Sequence, residues 1–169
     1  MIDWLTSDRM AALNVLSIAV ASGKVGYVFL SGGHLHDWGI TQKAARSHSD
    51  LVGLAQELMT KLRPDVVVTE KLVTGCRKGR RTKALIRSLA ELASYNGVLD
   101  VSVPRQHNYA TKYEEAQDLA KSYPEVTGYL PDHPRRIYEF EPRAMVLFEA
   151  LSLAQQVIKG LPTDLAAMG

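Results

Sequence analysis

The sequence predicts an α/β fold: a five-stranded mixed sheet, three antiparallel strands and then two parallel ones, flanked by helices. Three observations carry this expectation. Residues 13–40 hold three short, largely apolar runs separated by Ser-Gly and Ser-Gly-Gly, the punctuation of a meander. The periodicity then changes, so that apolar residues between 44 and 62 recur at three- and four-residue steps. Beyond residue 62 short apolar runs alternate with helical ones, the pattern that links parallel strands.

Each element follows from its residues. Residues 13–21 are nearly all apolar, as in a strand buried on both faces. The second and third strands are expected over 25–30 and 34–40. A helix over 44–62 places Leu51, Leu54, Ala55, Leu58, Met59 and Leu62 on one face, and Arg63-Pro64 ends it. DVVVTE, residues 65–70, is a short central strand, followed by a basic loop. A helix over 82–95 turns Leu85, Leu89, Leu92 and Ala93 inward and stops at Asn96-Gly97; a fifth strand spans 98–103. A short helix is expected over 111–121 and irregular chain over 123–140. Pro142 suits the first turn of a last helix that Gly160 and Pro162 stop near residue 158. The domain reading is an arm over 1–12, one domain over 13–160 and a tail over 161–169.

Composition excludes several classes. With 169 residues, 46% hydrophobic and 22% charged, the chain fits one domain with a real core. It is neither disordered nor membrane-spanning in pattern, since no apolar run approaches the ~20 residues a span needs. Its start, MIDWLTSDRM, is not a secretory signal. The single Cys76 excludes an internal disulfide and a cysteine-based zinc site, and a cytoplasmic home is expected. The net charge of +2 decides nothing, but its distribution is uneven. RKGRRTK, residues 77–83, holds five Lys or Arg in seven positions, and HPRRIYEFEPR, residues 133–143, is a second basic cluster. Two such patches point to a polyanion, with Arg77, Lys78, Arg80, Arg81 and Lys83 on the first and Arg135, Arg136 and Arg143 on the second.

Glu70 is the sharpest candidate for chemistry. It closes an apolar strand, which fixes its backbone at the sheet end where ligands gather, between the first strand and DVVVTE. Cleaving a phosphodiester needs an activated water and charge relief on the leaving oxygen, which Mg²⁺ held by converging carboxylates can supply. Glu149 is the second candidate, on a last-helix face with Met145, Ser152 and Gln156; a solvent-facing glutamate is the plain alternative. Glu141, before Pro142, or Glu139 is the third, although the helix dipole alone favours an acid there. His34, His36 and Asp37 read as polar residues at an edge strand. His107 and His133 sit in loops near basic residues, positions suited to phosphate contact. No Gly-rich phosphate loop and no G-x-S-x-G occur.

VLSIAVASGKVGYVFL (15–30), the DVVVTE strand end and a last helix bearing FEALSLA together resemble the RuvC-type Holliday junction resolvases of the ribonuclease H-like superfamily. The resemblance runs over residues 13–158, with Gly26-Tyr27, Glu70 and Glu149 as its best-matching parts. It implies a ribonuclease H-like fold and four acidic metal ligands. The second maps to Glu70 and the fourth to Glu149; the first maps to Ala19 and the third to Val146, neither of which binds metal. Three accounts are open: a natural pseudo-nuclease, an active variant built on Glu70, Glu141 and Glu149, or an engineered exchange at Ala19. The resemblance implies DNA, branched or structured, as partner, Mg²⁺ or Mn²⁺ as cofactor if the chain is active, no membrane, and a homodimer. The expected function is thus RuvC-like nucleic-acid binding. Nuclease activity, a purely binding role and a protein-interaction role stand as alternatives.

Overall fold

A computed structural model describes residues 13–106 and 108–168, with side chains through residue 159. The expectations for residues 1–12 and for His107 lie outside the described residues.

The predicted sheet is present. Strands β1 (Asn14–Ala21), β2 (Lys24–Ser31) and β3 (His34–Thr41) form the antiparallel meander. Strand β4 (Val66–Glu70) pairs parallel to β1, and β5 (Leu99–Val103) parallel to β4, giving the order β3-β2-β1-β4-β5. Gly23, Gly32 and Gly33 take positive φ in the two turns, a conformation that a side chain disfavours.

Helices cover both faces. Helix α1 (His48–Leu62) and helix α2 (Arg80–Tyr95) pack on one, and helix α3 (Lys112–Ser122) and helix α4 (Met145–Met168) on the other. The period-2 alternation of the strands sorts the core between them. In β1, Leu16, Ile18 and Val20 join the α1/α2 side, whereas Val15 and Ala19 join the α3/α4 side. In β4, Val67 faces α1/α2, and Val66 and Val68 face α4.

Four elements differ from the sequence expectation by more than one residue. The helix expected from residue 44 is a 3₁₀ turn (Lys43–Ala45) followed by α1, because the Ser47 side chain caps α1 by accepting the Asp50 N–H at 3.0 Å. Helix α2 starts at Arg80, two residues early, because the extended Gly79 serves as its cap. The expected irregular stretch over 123–140 contains a 3₁₀ turn, Pro124–Tyr129. Helix α4 starts at Met145 and continues past Gly160 and Pro162. A proline removes one N–H and crowds one carbonyl, and the strong helix formers Leu165, Ala166, Ala167 and Met168 follow it. No helix among the described residues is long and apolar enough to cross a membrane.

Candidate functional site

The site forms where β1 and β4 end side by side. The parallel ladder runs from Val15↔Val66 to Ser17↔Val68, and the same register carried two residues further sets Ala19 level with Glu70. Alternation turns Glu70, like Val66 and Val68, toward α4. That helix lies hard against the sheet. The Ser17 hydroxyl donates to the Ala150 carbonyl at 2.7 Å. A Cβ placed on Gly26, the cross-strand partner of Ala19, would meet the Val146 carbonyl oxygen at 2.7 Å. Glycine at position 26 is therefore what lets α4 come this close. Ala19 and Val146, each 1% exposed, belong to one apolar cluster beneath the helix.

One turn along α4 from Val146, Glu149 comes to the same sheet end, and Lys78 lies between it and Glu70. The Lys78 ammonium donates to Glu149 Oε1 at 2.5 Å and to the Val20 carbonyl at 2.6 Å, and stands 3.4 Å from Glu70 Oε1. The last contact is one of charge without an aligned hydrogen bond, and among the described residues Glu70 Oε1 has no hydrogen-bond partner. Glu70 is 6% exposed. Burial pushes its carboxyl above the ordinary carboxylic range; the Lys78 ammonium pulls it back and the Glu149 carboxylate adds to the rise. Arg105 contributes a weaker favourable charge and itself pairs with Glu115 of α3 at 3.4 Å.

The other sequence candidates are placed as follows. Glu141 pairs with Lys112 and, at 4.0 Å, with Lys24, which follows the β1–β2 turn. Its charge is thus balanced by two lysines rather than shared with Glu70 and Glu149. Glu139 pairs with Arg136 at 3.6 Å and faces His133 at 3.9 Å. On the first basic patch Arg77 and Arg80 are exposed, and Lys83 is half-buried. Arg81 is exposed, but its guanidinium donates to the Arg46 carbonyl. The first turn of α2 carries no acid, so its partial positive charge adds to that of the arginines. On the second patch Arg135, Arg136 and Arg143 are exposed beside the fully exposed Ile137 and Phe140. His34 and His36 are exposed on β3.

Sequence reasoning did not single out Lys78 from its basic neighbours. Five cations in seven positions do not reveal which one turns inward. Only the flanking Gly79, which opens the α2 cap, hinted at a special local geometry. The solvent-facing alternative for Glu149 is overturned. Along that stretch α4 buries Met145, Val146, Leu147, Phe148, Ala150, Leu151 and Ser152, so its short polar stripe points at the sheet end.

Solved structures share this fold. Thermus thermophilus RuvC aligns with a TM-score of 0.58 and 18% identity, over 88% of this chain and 97% of that one. RuvC of T. thermophilus in complex with a Holliday junction substrate aligns at 0.57 and 14%, over 89% and 96%. Fowlpox virus resolvase in complex with Holliday junction DNA aligns at 0.56 and 14%, over 88% and 99%. The fold is of the RuvC type. No family model matches the chain, and no curated protein matches it.

Proteins of this fold imply a divalent metal, which the residues here do not fit as a multi-ligand centre. Two of the four expected positions are the apolar Ala19 and Val146, both buried in the same cluster. A third, Glu70, shares its charge with a lysine that also holds Glu149. Among the described residues no group of three His, Cys, Asp or Glu side chains is arranged to hold a metal ion.

Proposed function

We propose that this protein binds branched DNA through a RuvC-type fold without cleaving it by metal catalysis. The observation that carries the reading is the Lys78 ammonium set among Glu70 Oε1, Glu149 Oε1 and the Val20 carbonyl. A cleavage centre needs multivalent charge and open coordination for water at that point. A tethered monovalent cation supplies neither. Binding is a separate matter. The exposed Arg77 and Arg80, with the acid-free start of α2, stand on the chain that leads away from Glu70, and Arg143 precedes α4. These are groups suited to phosphates. The solved neighbours in complex with Holliday junction DNA support the choice of a branched substrate. A homodimer would match the two-fold symmetry of such a junction, and the lone Cys76 suits a reducing, cytoplasmic setting.

A second reading keeps an endonuclease in which Glu70, Glu149 and Glu141 hold Mg²⁺ or Mn²⁺. The convergence of the first two carboxylates favours it. One experiment separates the readings: a labelled four-way junction and a linear duplex, each with EDTA, Mg²⁺ or Mn²⁺, with binding and cleavage read together. The expected result is junction binding in EDTA that Glu70→Gln leaves intact, with no cleavage under either metal. Arg77→Gln with Arg80→Gln weakens binding to every sequence and lowers the salt slope by about 0.9 for each phosphate no longer neutralised. Metal-dependent cleavage abolished by Glu70→Gln establishes the endonuclease instead. No DNA affinity at ~100 mM salt leaves a protein-interaction role.

A further inference from the structure

We infer that the segment carrying Ile137, Tyr138 and Phe140 is a stacking wedge that meets open bases at a DNA branch point and so favours a branched substrate over a linear duplex. The inference rests on the DNA-binding reading above and adds to it the element that reads shape.

Ile137 and Phe140 are fully exposed and Tyr138 is 78% exposed. Single apolar side chains at a surface are ordinary, but three large ones within four residues mark an interaction surface. The segment that presents them is tied down on both sides. The Arg136 carbonyl accepts the Glu139 N–H at 3.0 Å, which closes a turn with Ile137 and Tyr138 at its tip. The Glu139 carboxylate lies 3.6 Å from Arg136 and 3.9 Å from His133, and the Arg136 guanidinium donates to the Tyr138 hydroxyl at 3.1 Å. Beyond Phe140, Glu141 pairs with Lys112 and Lys24, and Pro142 fixes its own φ. Phe140 thus stands in water between two anchored acids. Backbone held in this way has less freedom to lose on binding.

Charge selects the occupant. Glu139 and Glu141 are balanced by their partners, whereas Arg135 and Arg143 are exposed and form no ion pair among the described residues. The surface around the rings is therefore positive. It repels a second copy of itself across a two-fold axis and suits a polyanion. Position agrees with charge. Lys24, which holds Glu141, pairs with Ala21 across the β1–β2 turn, and Lys78 of the first basic loop is bonded to the Val20 carbonyl. The segment and the loop bearing Arg77 and Arg80 therefore meet the sheet at the same end of β1. Arginines that grip phosphates carry no base information of their own. Aromatic rings stack on bases that are already unpaired, whereas in a continuous duplex the bases must first be unstacked at a cost. A branch point interrupts the stack, so the rings add affinity there and not along an arm.

The test uses the full chain with a four-way junction and a linear duplex. Each carries the fluorescent base 2-aminopurine, placed in the junction either beside the branch point or deep in an arm. Native protein should change the emission beside the branch point and leave the arm unchanged. Tyr138→Ala with Phe140→Ala should abolish that change and weaken junction binding at least about tenfold, with duplex affinity kept within about twofold. Phe140→Leu, which keeps apolar bulk without a ring, should also reduce the emission change. These side chains stand in water, so the variants should keep the native circular dichroism. Junction affinity unchanged in the double variant, or an equal loss on both substrates, overturns the wedge and leaves the proposed function standing. No DNA affinity of the native chain at ~100 mM salt defeats both. Sedimentation of the free protein supplies the last arm. A native dimer that the double variant dissolves, with the junction emission change intact, assigns the surface to a second copy and overturns the inference.

Discussion

Replacing Lys78 by methionine keeps the length of the side chain and deletes its charge, and the structure sets the size of the effect. The ammonium faces Glu149 at 2.5 Å and Glu70 at 3.4 Å. Each attraction is at least about 4 kcal/mol gross at an effective dielectric near 20, before the desolvation of the ions is subtracted. Removing one member of a buried ionic group typically costs about 3–5 kcal/mol, because the partner charges stay buried. Here the Lys78 and Glu149 side chains are 20% and 15% exposed, so water screens part of the loss. The expected destabilisation at neutral pH is therefore about 2–4 kcal/mol. Its pH dependence has a definite sign. Burial already holds the Glu70 carboxyl above its ordinary range, and Lys78 is the main group holding it down. Without Lys78 it rises further. An acid whose folded value is raised favours the fold below its unfolded value, and that advantage is lost as pH rises through the folded value. The penalty of Lys78→Met is thus smallest in acid and grows toward neutral pH. Urea denaturation at several values between about pH 4 and 8, with Lys78→Met and Glu70→Gln in a double-mutant cycle, measures it. The double variant should regain at least about 1.5 kcal/mol of the loss. A single variant within about 0.5 kcal/mol of the native chain at neutral pH, or a penalty flat across this range, would refute the electrostatic account of the site.

Three other outcomes follow from the same geometry. Glu70→Gln alone should stabilise the chain above the raised carboxyl range and lose that advantage as pH falls toward the ordinary one, as urea midpoints near pH 4 and pH 8 would show. Ala19→Asp should cost about 2 kcal/mol or more, because Ala19 is 1% exposed. It should also fail to confer junction cleavage in Mn²⁺, since Val146 and Lys78 remain; a gain of cleavage would point to a single missing ligand. Gly26→Ala should cost about 1–3 kcal/mol in thermal denaturation, since its Cβ meets the backbone of Val146 and Leu147 at 2.7–3.0 Å. A neutral effect would mean that α4 can shift freely.

Much of the fold could be read from the sequence because its signals are local. Ser22-Gly23 and Gly32-Gly33 mark turns that need positive φ, and the apolar run of β1 marks a strand covered on both faces. The parallel pairing of β1 with β4 followed from the change of periodicity, and its register, carried on, sets Ala19 level with Glu70. Helix starts were less legible. Ser47 acts through one side-chain hydroxyl and Gly79 through its extended backbone, whereas buried Ala44 and Ala45 extend the apolar pattern beyond the true start of α1. At the site, Glu70 and Glu149 could be named because each ends or interrupts an apolar run. Their cation could not, because Lys78 looks like its four basic neighbours until the loop is folded. Glu141 ranked third because the helix dipole alone favours an acid there, and its pairing with Lys24 and Lys112 shows where its charge goes.

The apolar Ala19 and Val146 and the inward Lys78 are physically linked. With Ala19 and Val146 in place, the space between β1, β2 and α4 closes into the apolar core, helped by Gly26. That closure leaves Glu70 and Glu149 as two acids with little water around them, an arrangement that costs free energy unless a cation is present. Lys78 supplies it from within the chain, and the Val20 carbonyl fixes its nitrogen in place. An exchange at position 19 alone would account for neither the valine at 146 nor the inward lysine. Through its bonds to Glu149 and to the Val20 carbonyl, Lys78 ties the basic loop to the sheet end.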